Sequence, residues 1–190
     1  MTDSQPGATP NGRTLVIGEA LIDAVTTAEG ALEEHVGGSP ANVAFGLAAL
    51  DHEVSLATWL ATDDHGNRIA EHCRERGVEL TAGSQGAPFT SVAHASLDTK
   101  GAATYRFDLE WQLGPQDLHG IGHLHTGSIA ATLEPGASAV LDLMSAARVS
   151  ATVSYDPNCR PSLMGEPHDV RSRIEECIGF SDVVKASDED

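Results

Sequence analysis

Short, uninterrupted apolar runs alternate with longer stretches of helical character along the chain, and this alternation constrains the fold more than any other feature. Leu15, Val16 and Ile17 form the first run, ended by Gly18; residues 54–60 form a second, and 121–126, 151–155 and 182–185 are further strand candidates. Continuous apolar character marks a strand covered on both faces, as in a parallel sheet. Between the runs, residues 40–50, 65–76, 135–148 and 168–180 read as helices. Strands and helices in alternation require right-handed βαβ crossovers and predict a layered α/β domain. Residues 1–13 carry Pro, Gly, Ser, Thr and Asn without periodic apolar positions. They are expected to form a disordered tail ahead of a domain at 14–190.

One segment departs from the alternation. Ala103, Tyr105, Phe107, Leu109 and Trp111 alternate with Thr104, Arg106, Asp108 and Glu110, the period of a strand with one dry face. Residues 89–97 read as a second strand, and Asp98, Thr99, Lys100 and Gly101 supply turn chemistry between the two. The pair predicts an antiparallel hairpin, set into a parallel chain as a flap over a cleft or as a dimer contact.

Charge narrows the partners. Asp and Glu number 28 against 11 Lys and Arg, a formal net charge of -17, which repels nucleic-acid backbones and anionic lipid surfaces. High-salt solvation is an alternative reading of the acidity. No apolar run approaches the roughly 20 residues of a membrane helix, and the first residues lack the apolar centre of a signal peptide. The expectation is a soluble, cytoplasmic protein that contacts neither nucleic acid nor membrane. Cys73, Cys159 and Cys177 show no paired spacing, which argues for reduced thiols.

The sharpest local signal is GGSPAN, residues 37–42. Ser39 fits a helix N-cap, Pro40 the first helical position, and Asn42 the first turn, while Gly37 and Gly38 allow a ligand close to the backbone. A tight turn without ligand is the plainer reading, and the hexapeptide alone leaves both open. Asp23 follows the first run, at the carboxyl edge where open α/β sheets bind ligands; it suits two hydroxyls of a polyol, or a turn. YDPNCR brings Asp156, Asn158 and Arg160 past another strand end, where Arg160 suits phosphate oxygens or solvent. His119, His123 and His125 lack further ligands at metal spacing, so a metal reading is set aside. No GxxxxGK[ST], GxGxxG or GxSxG motif is present.

Together VIGEALID, HVGGSPANVAFGLAAL, the hairpin, LHTGSIA, SYDPNCRP and VVKASDED resemble the ribokinase or PfkB family of carbohydrate kinases, its fructokinase-like members especially. The resemblance implies a ribokinase-like α/β domain with a small β lid, its strands around 29–37 and 89–112, and magnesium-dependent transfer of the ATP γ-phosphoryl to a sugar hydroxyl. It implies that Asp23, Gly37, Gly38 and Asn42 cradle the sugar, that Tyr105 and Phe107 touch it from the lid, and that Asp156, Asn158 and Arg160 line the cleft floor toward the substrate or its phosphate. Lys185 and Ser187 are implied near the ATP phosphates and Asp190 near magnesium, with Ser187 and Asp190 standing where family members often have Asn and Glu. No GAGD-type glycine-rich turn, with its anion-binding N–H groups and Asp base, occurs in the sequence. The C-terminal part of the fold is therefore expected to be missing, the catalytic base to lie beyond Asp190, and the chain to carry the sugar-binding half of a kinase. A non-catalytic sugar or nucleoside binder built from the same cradle is the alternative, with a homodimer through the lid compatible with either.

Overall fold

In the computed structural model, which describes residues 12–97, 103–188 and 190, two sheets carry the architecture. The larger is six-stranded and wholly parallel, in the order β10-β9-β8-β1-β4-β5. Its strands are β1 (Arg13–Ile17), β4 (Val54–Ala57), β5 (Glu79–Leu80), β8 (Ile121–Gly127), β9 (Thr152–Asp156) and β10 (Val183–Val184). β1 sits centrally, with its sequence successors on one side and the second half of the chain on the other. Such a switch in strand order opens a crevice at the carboxyl edge.

Alternation inside β1 assigns its two faces. Leu15 and Ile17 point into a core with Leu124, Val153 and Tyr155, covered by helices α3 (Gly136–Ala147) and α5 (Pro167–Phe180). Val16 points the other way, joining Val54 and Leu56 beneath α1 (Ser39–Ala49) and α2 (Asp64–Glu75). Both faces are dry, as continuous apolar runs require. A short helix α4 (Pro161–Met164) and a 3-10 turn (Ser128–Ala131) follow the ends of β9 and β8.

The smaller sheet has the order β3-β2-β6-β7 and forms the lid: β2 (Leu21–Thr26), β3 (Leu32–Gly37), β6 (Val92–Leu97) and β7 (Ala103–Asp108). β6 and β7 pair antiparallel with Val92 opposite Asp108, so the hairpin forms; its turn, residues 98–101, lies outside the described residues. β2, which period alone does not flag, lies between β3 and β6 and links the lid to the body. Ile22 and Ala24 pack on the α2 side with Ile69 and Cys73, which leaves Leu21 and Asp23 on the opposite face.

Three expectations need correction. β1 starts at Arg13, inside the stretch 1–13 assigned to a tail, because the Arg13 N–H donates to the Gly120 carbonyl at 3.1 Å and its guanidinium meets Glu79 at 2.8 Å. Residues 1–11 of that stretch lie outside the described residues. The dry-face alternation ending at Trp111 is not one strand: β7 stops at Asp108, and Trp111 crosses into the main core, where its indole N–H donates to the Ala130 carbonyl at 3.0 Å. Ser39 is not the N-cap of α1. Gly38 takes that place with φ 108°, a value that favours glycine, and Ser39 opens the helix proper.

Asp63 fastens the body to the strand leading into the lid. Its Oδ1 accepts the Gly66 N–H at 2.8 Å, capping α2, and the Thr90 hydroxyl at 2.7 Å, while Oδ2 accepts the Thr90 N–H at 2.9 Å. Burial pushes its carboxyl up, but these bonds outweigh it and hold it below the usual carboxylate range. Asp63→Ala should lower the unfolding free energy by about 0.5–2 kcal/mol in urea titrations at neutral pH. A depressed folded value means stability present above the unfolded carboxylate's pKa of about 3.9 and lost as pH falls through the folded value. The gap between wild type and variant should therefore close in acid, and a gap constant down to pH 2 would exclude this role.

Candidate functional site

A cavity of about 560 Å³ opens where the lid meets the carboxyl edge of the larger sheet. The lid contributes Asp23 from β2 and Phe107 from β7. Helix α1 contributes Asn42 from its first turns, and the segment after β9 contributes Asn158 and Arg160. Strand ends and a helix start thus aim short polar side chains at one space, with apolar side chains between them.

The expected residues divide accordingly. Asp23, Gly38, Asn42, Phe107, Asn158 and Arg160 line the cavity. Gly37 stands behind it, buried against the Asp23 carboxylate with no room for a Cβ. Tyr105 does not line the cavity, contrary to the expectation of a shared sugar-facing pair. It stacks on Phe107, ring centroids 6.0 Å apart, but sits one pleat farther along β7, beyond the cavity mouth and 62% exposed. Two residues of strand advance the side chain by roughly 6.6 Å, enough to carry it past the ligand space.

Charge in the cavity is mostly acidic and partly desolvated. Burial raises the Asp23 carboxyl, a trend the neighbouring His35 opposes. Arg160 brings positive charge from the β9–α4 segment, with its guanidinium donating to the carbonyls of Asn158 at 3.2 Å and Cys159 at 2.8 Å. Asn158 adopts φ 39°, a left-handed turn that Asn tolerates and that folds this segment back over the strand end.

Two polar lining residues, Glu19 and Ser128, are not singled out by the sequence. Glu19, two residues after β1, is 7% exposed and pushed up to about 7 by burial, against the opposing pull of its own N–H, the Ser128 hydroxyl, the Ser39 N–H and Arg160. A lone carboxylate inside the apolar stretch 15–22 was the available signal. Ser128, buried at φ 56° after β8, had none beyond following a strand.

Lys185, Ser187 and Asp190 are not among the residues that line this cavity. The Lys185 ammonium meets Asp156 at 3.1 Å. Asp190 accepts the Cys159 N–H at 2.5 Å, the Ser187 N–H at 2.7 Å and the Ser187 hydroxyl at 3.0 Å. Those bonds hold its carboxyl below the usual range against the opposing effect of burial. No group of three or more His, Cys, Asp or Glu among the described residues converges as a metal site. His123 and His125 share a sheet face, both meeting the Ser154 hydroxyl, at 2.8 and 2.9 Å.

Residues 12–190 match the family of pfkB carbohydrate kinases. The chain belongs to that family. It is similar to a fructokinase of Klebsiella pneumoniae, 31% identical over 95% of this chain and 62% of the relative, and to a probable fructokinase-3 of Arabidopsis thaliana, 32% identical over 93% and 56%. Among solved structures, the fructokinase of Xylella fastidiosa with bound ATP superposes with a TM-score of 0.80 at 27% identity, over 94% of this chain and 62% of that one. The fructokinase of Vibrio cholerae O395 bound to fructose, ADP and calcium gives 0.77 at 25% identity. The fold is therefore ribokinase-like, and the chain spans less than two thirds of the length of these pfkB relatives. Among the described residues no helix is long and apolar enough to cross a membrane.

The crossing of the two body–lid connections leaves Gly38 no side chain: a Cβ there would run into the Glu19 carbonyl and approach the Ala20 Cα to 3.0 Å. Gly38→Ala should destabilise the chain by more than about 1 kcal/mol, since both φ and space oppose it. A thermal melt matching wild type would show that the crossing is looser than described.

Proposed function

We propose that the cavity binds a ketohexose such as fructose, and that the chain is the sugar-binding part of an ATP-dependent carbohydrate kinase of the pfkB family. The observation that carries this reading is the placement of Asp23 and Asn42, from lid and helix, across one cavity roofed by Phe107. A carboxylate accepts two hydroxyl hydrogen bonds and an amide both donates and accepts, which suits a polyol. An aromatic ring beside them covers the C–H face of a sugar. Fructose is favoured over other sugars because the relatives that resemble this chain are named fructokinases, one of them solved with fructose.

The cradle works by position. Asp23 comes from the lid and Asn42 from the body, so a sugar held by both fixes the two sheets relative to one another and excludes water from the hydroxyl between them. Gly38 brings the backbone close to the ligand, Gly37 lies behind the Asp23 carboxylate, and Arg160 closes the floor with positive charge suited to a phosphorylated product or a phosphate donor.

The residues toward ATP and magnesium fit less well. Asp190 already accepts three hydrogen bonds, and Lys185 is paired with Asp156. That set does not fit a magnesium–triphosphate unit. Sugar binding without turnover by this chain is the reading these contacts favour.

Isothermal titration of fructose into the purified chain should show saturable binding, weakened by about 1.5–3 kcal/mol in Asp23→Ala, as expected when a charged hydrogen-bond partner is removed. Equal affinity in that variant would exclude Asp23 as a sugar ligand. In an ADP-release assay with ATP, magnesium and a panel of hexoses, pentoses and nucleosides, the 190-residue chain should give no family-like rate. Losing even one oxyanion donor costs about a hundredfold or more. Robust turnover would place a base and anion donors among the residues present.

A further inference from the structure

Glu19 lies on the cavity wall with one carboxylate oxygen engaged and the other bare. Oε1 accepts the Ser39 N–H at 3.3 Å, at the start of α1, whereas Oε2 is buried and has no hydrogen-bond partner. The residue is 7% exposed, so bulk water does not satisfy that oxygen. A buried polar atom left without a partner is costly, and in a cleft it points to a ligand that completes it.

The backbone holds the side chain in place. The Ala20 N–H donates to the Thr58 hydroxyl at 3.0 Å, and Gly38 packs against the Glu19 carbonyl. Glu19, Leu21 and Asp23 all line the cavity, two residues apart each time, so both carboxylates face the same space.

We propose that Glu19 is a second substrate-binding carboxylate: Oε2 accepts a sugar hydroxyl on the cavity wall while Oε1 holds the first turn of α1, and with it Asn42, in register. This rests on the sugar-binding reading above. It also explains why α1 has no capping side chain and no acid in its first turn, since the carboxylate that its N–H groups and dipole favour arrives from β1 instead.

A pH dependence follows. Burial brings the Glu19 carboxyl to about 7, and a hydroxyl donated to Oε2 favours the ionised form, so sugar affinity should rise between pH 6 and 8. The groups that face Glu19 are Arg160 from the β9–α4 segment, Ser128 from the 3-10 turn, Ser39 from α1, and Asp23 on the lid with His35 beside it.

The test is calorimetric titration of fructose into the intact 190-residue chain at pH 6 and pH 8. It compares wild type, Glu19→Gln and Asp23→Asn, all in a His35→Gln background so that the imidazole beside Asp23 does not contribute. Glu19→Gln keeps an oxygen for the Ser39 N–H and should melt near wild type. Its fructose affinity should fall about tenfold or more at pH 8, and the rise from pH 6 to pH 8 should flatten. Unchanged affinity and pH profile in Glu19→Gln, with binding lost in Asp23→Asn, would overturn the role of Glu19 and leave the sugar site standing. No binding by wild type at either pH would overturn the sugar site and the proposal together. Should Glu19→Gln unfold, the wild-type profile decides, because an affinity that does not change between pH 6 and 8 also overturns the proposal.

Discussion

Everything that places the cavity depends on one close approach, the packing of Gly38 against the backbone of Glu19 and Ala20. Glu19 lies on the passage from β1 into the lid, and Gly38 on the return from β3 into α1. Where these two connections cross, a side chain on Gly38 would run into the Glu19 carbonyl and drive lid and body apart. Glycine with φ 108° removes the obstacle, and the same geometry turns the first N–H of α1 toward the Glu19 carboxylate. Helix start, lid root and cavity wall are thus one local structure.

The lid is held to the body along a second line. Glu34 on β3 takes the Arg68 guanidinium on both its carboxylate, at 3.2 Å, and its carbonyl, at 2.6 Å, and meets the His65 imidazole at 3.2 Å. Each contact is near the surface and worth at most about 1 kcal/mol. The larger share comes from Ile22 and Ala24 packing with Ile69 and Cys73. One strand, β2, therefore faces the body core with alternate residues and the ligand space with the others. Substitutions on either face move the opposite one, so stability and sugar affinity should be coupled through β2 more than through any other strand.

How far the fold is legible in the sequence follows from where its signals are local. Leu15, Val16 and Ile17 announce a doubly covered strand because both neighbouring layers demand apolar side chains, and the parallel sheet follows. Thr104 to Glu110 announces a hairpin because one face is wet. β2 escapes notice: LIDAVT has the apolar density of a buried strand and one carboxylate, and only the tertiary pairing with β3 and β6 shows it to be a lid strand. Asp23, Asn42 and Phe107 could be singled out from motif and period, whereas Tyr105 shows the limit of period. Alternation fixes which face a side chain shares, but not how far along that face the cavity reaches. Glu19 was visible as an acid in an apolar run, yet its meaning depends on Ser39, twenty residues away, and on an oxygen whose isolation no sequence records.

The charge pattern separates holding a sugar from transferring phosphate to it. The cavity presents two acceptors, Asp23 and Glu19, with Asn42 able to donate or accept, which is what hydroxyl donors of a sugar would need. Toward phosphate the described residues present Arg160, which already donates to two carbonyls of its own segment, and Lys185, which is paired with Asp156. Phosphoryl transfer is favoured by donors aimed at the equatorial oxygens and free of competing partners. In a chain of net charge -17, added anionic charge must be met by such donors locally, because the surrounding field opposes it. A cavity with Asp23 and Glu19 on its wall and Arg160 as its one lining cation among the described residues suits a neutral hydroxyl-bearing ligand better than a triphosphate. The two halves of the chemistry therefore call for opposite electrostatics, and the acidic lining of this cavity matches the needs of hydroxyl donors rather than those of phosphate.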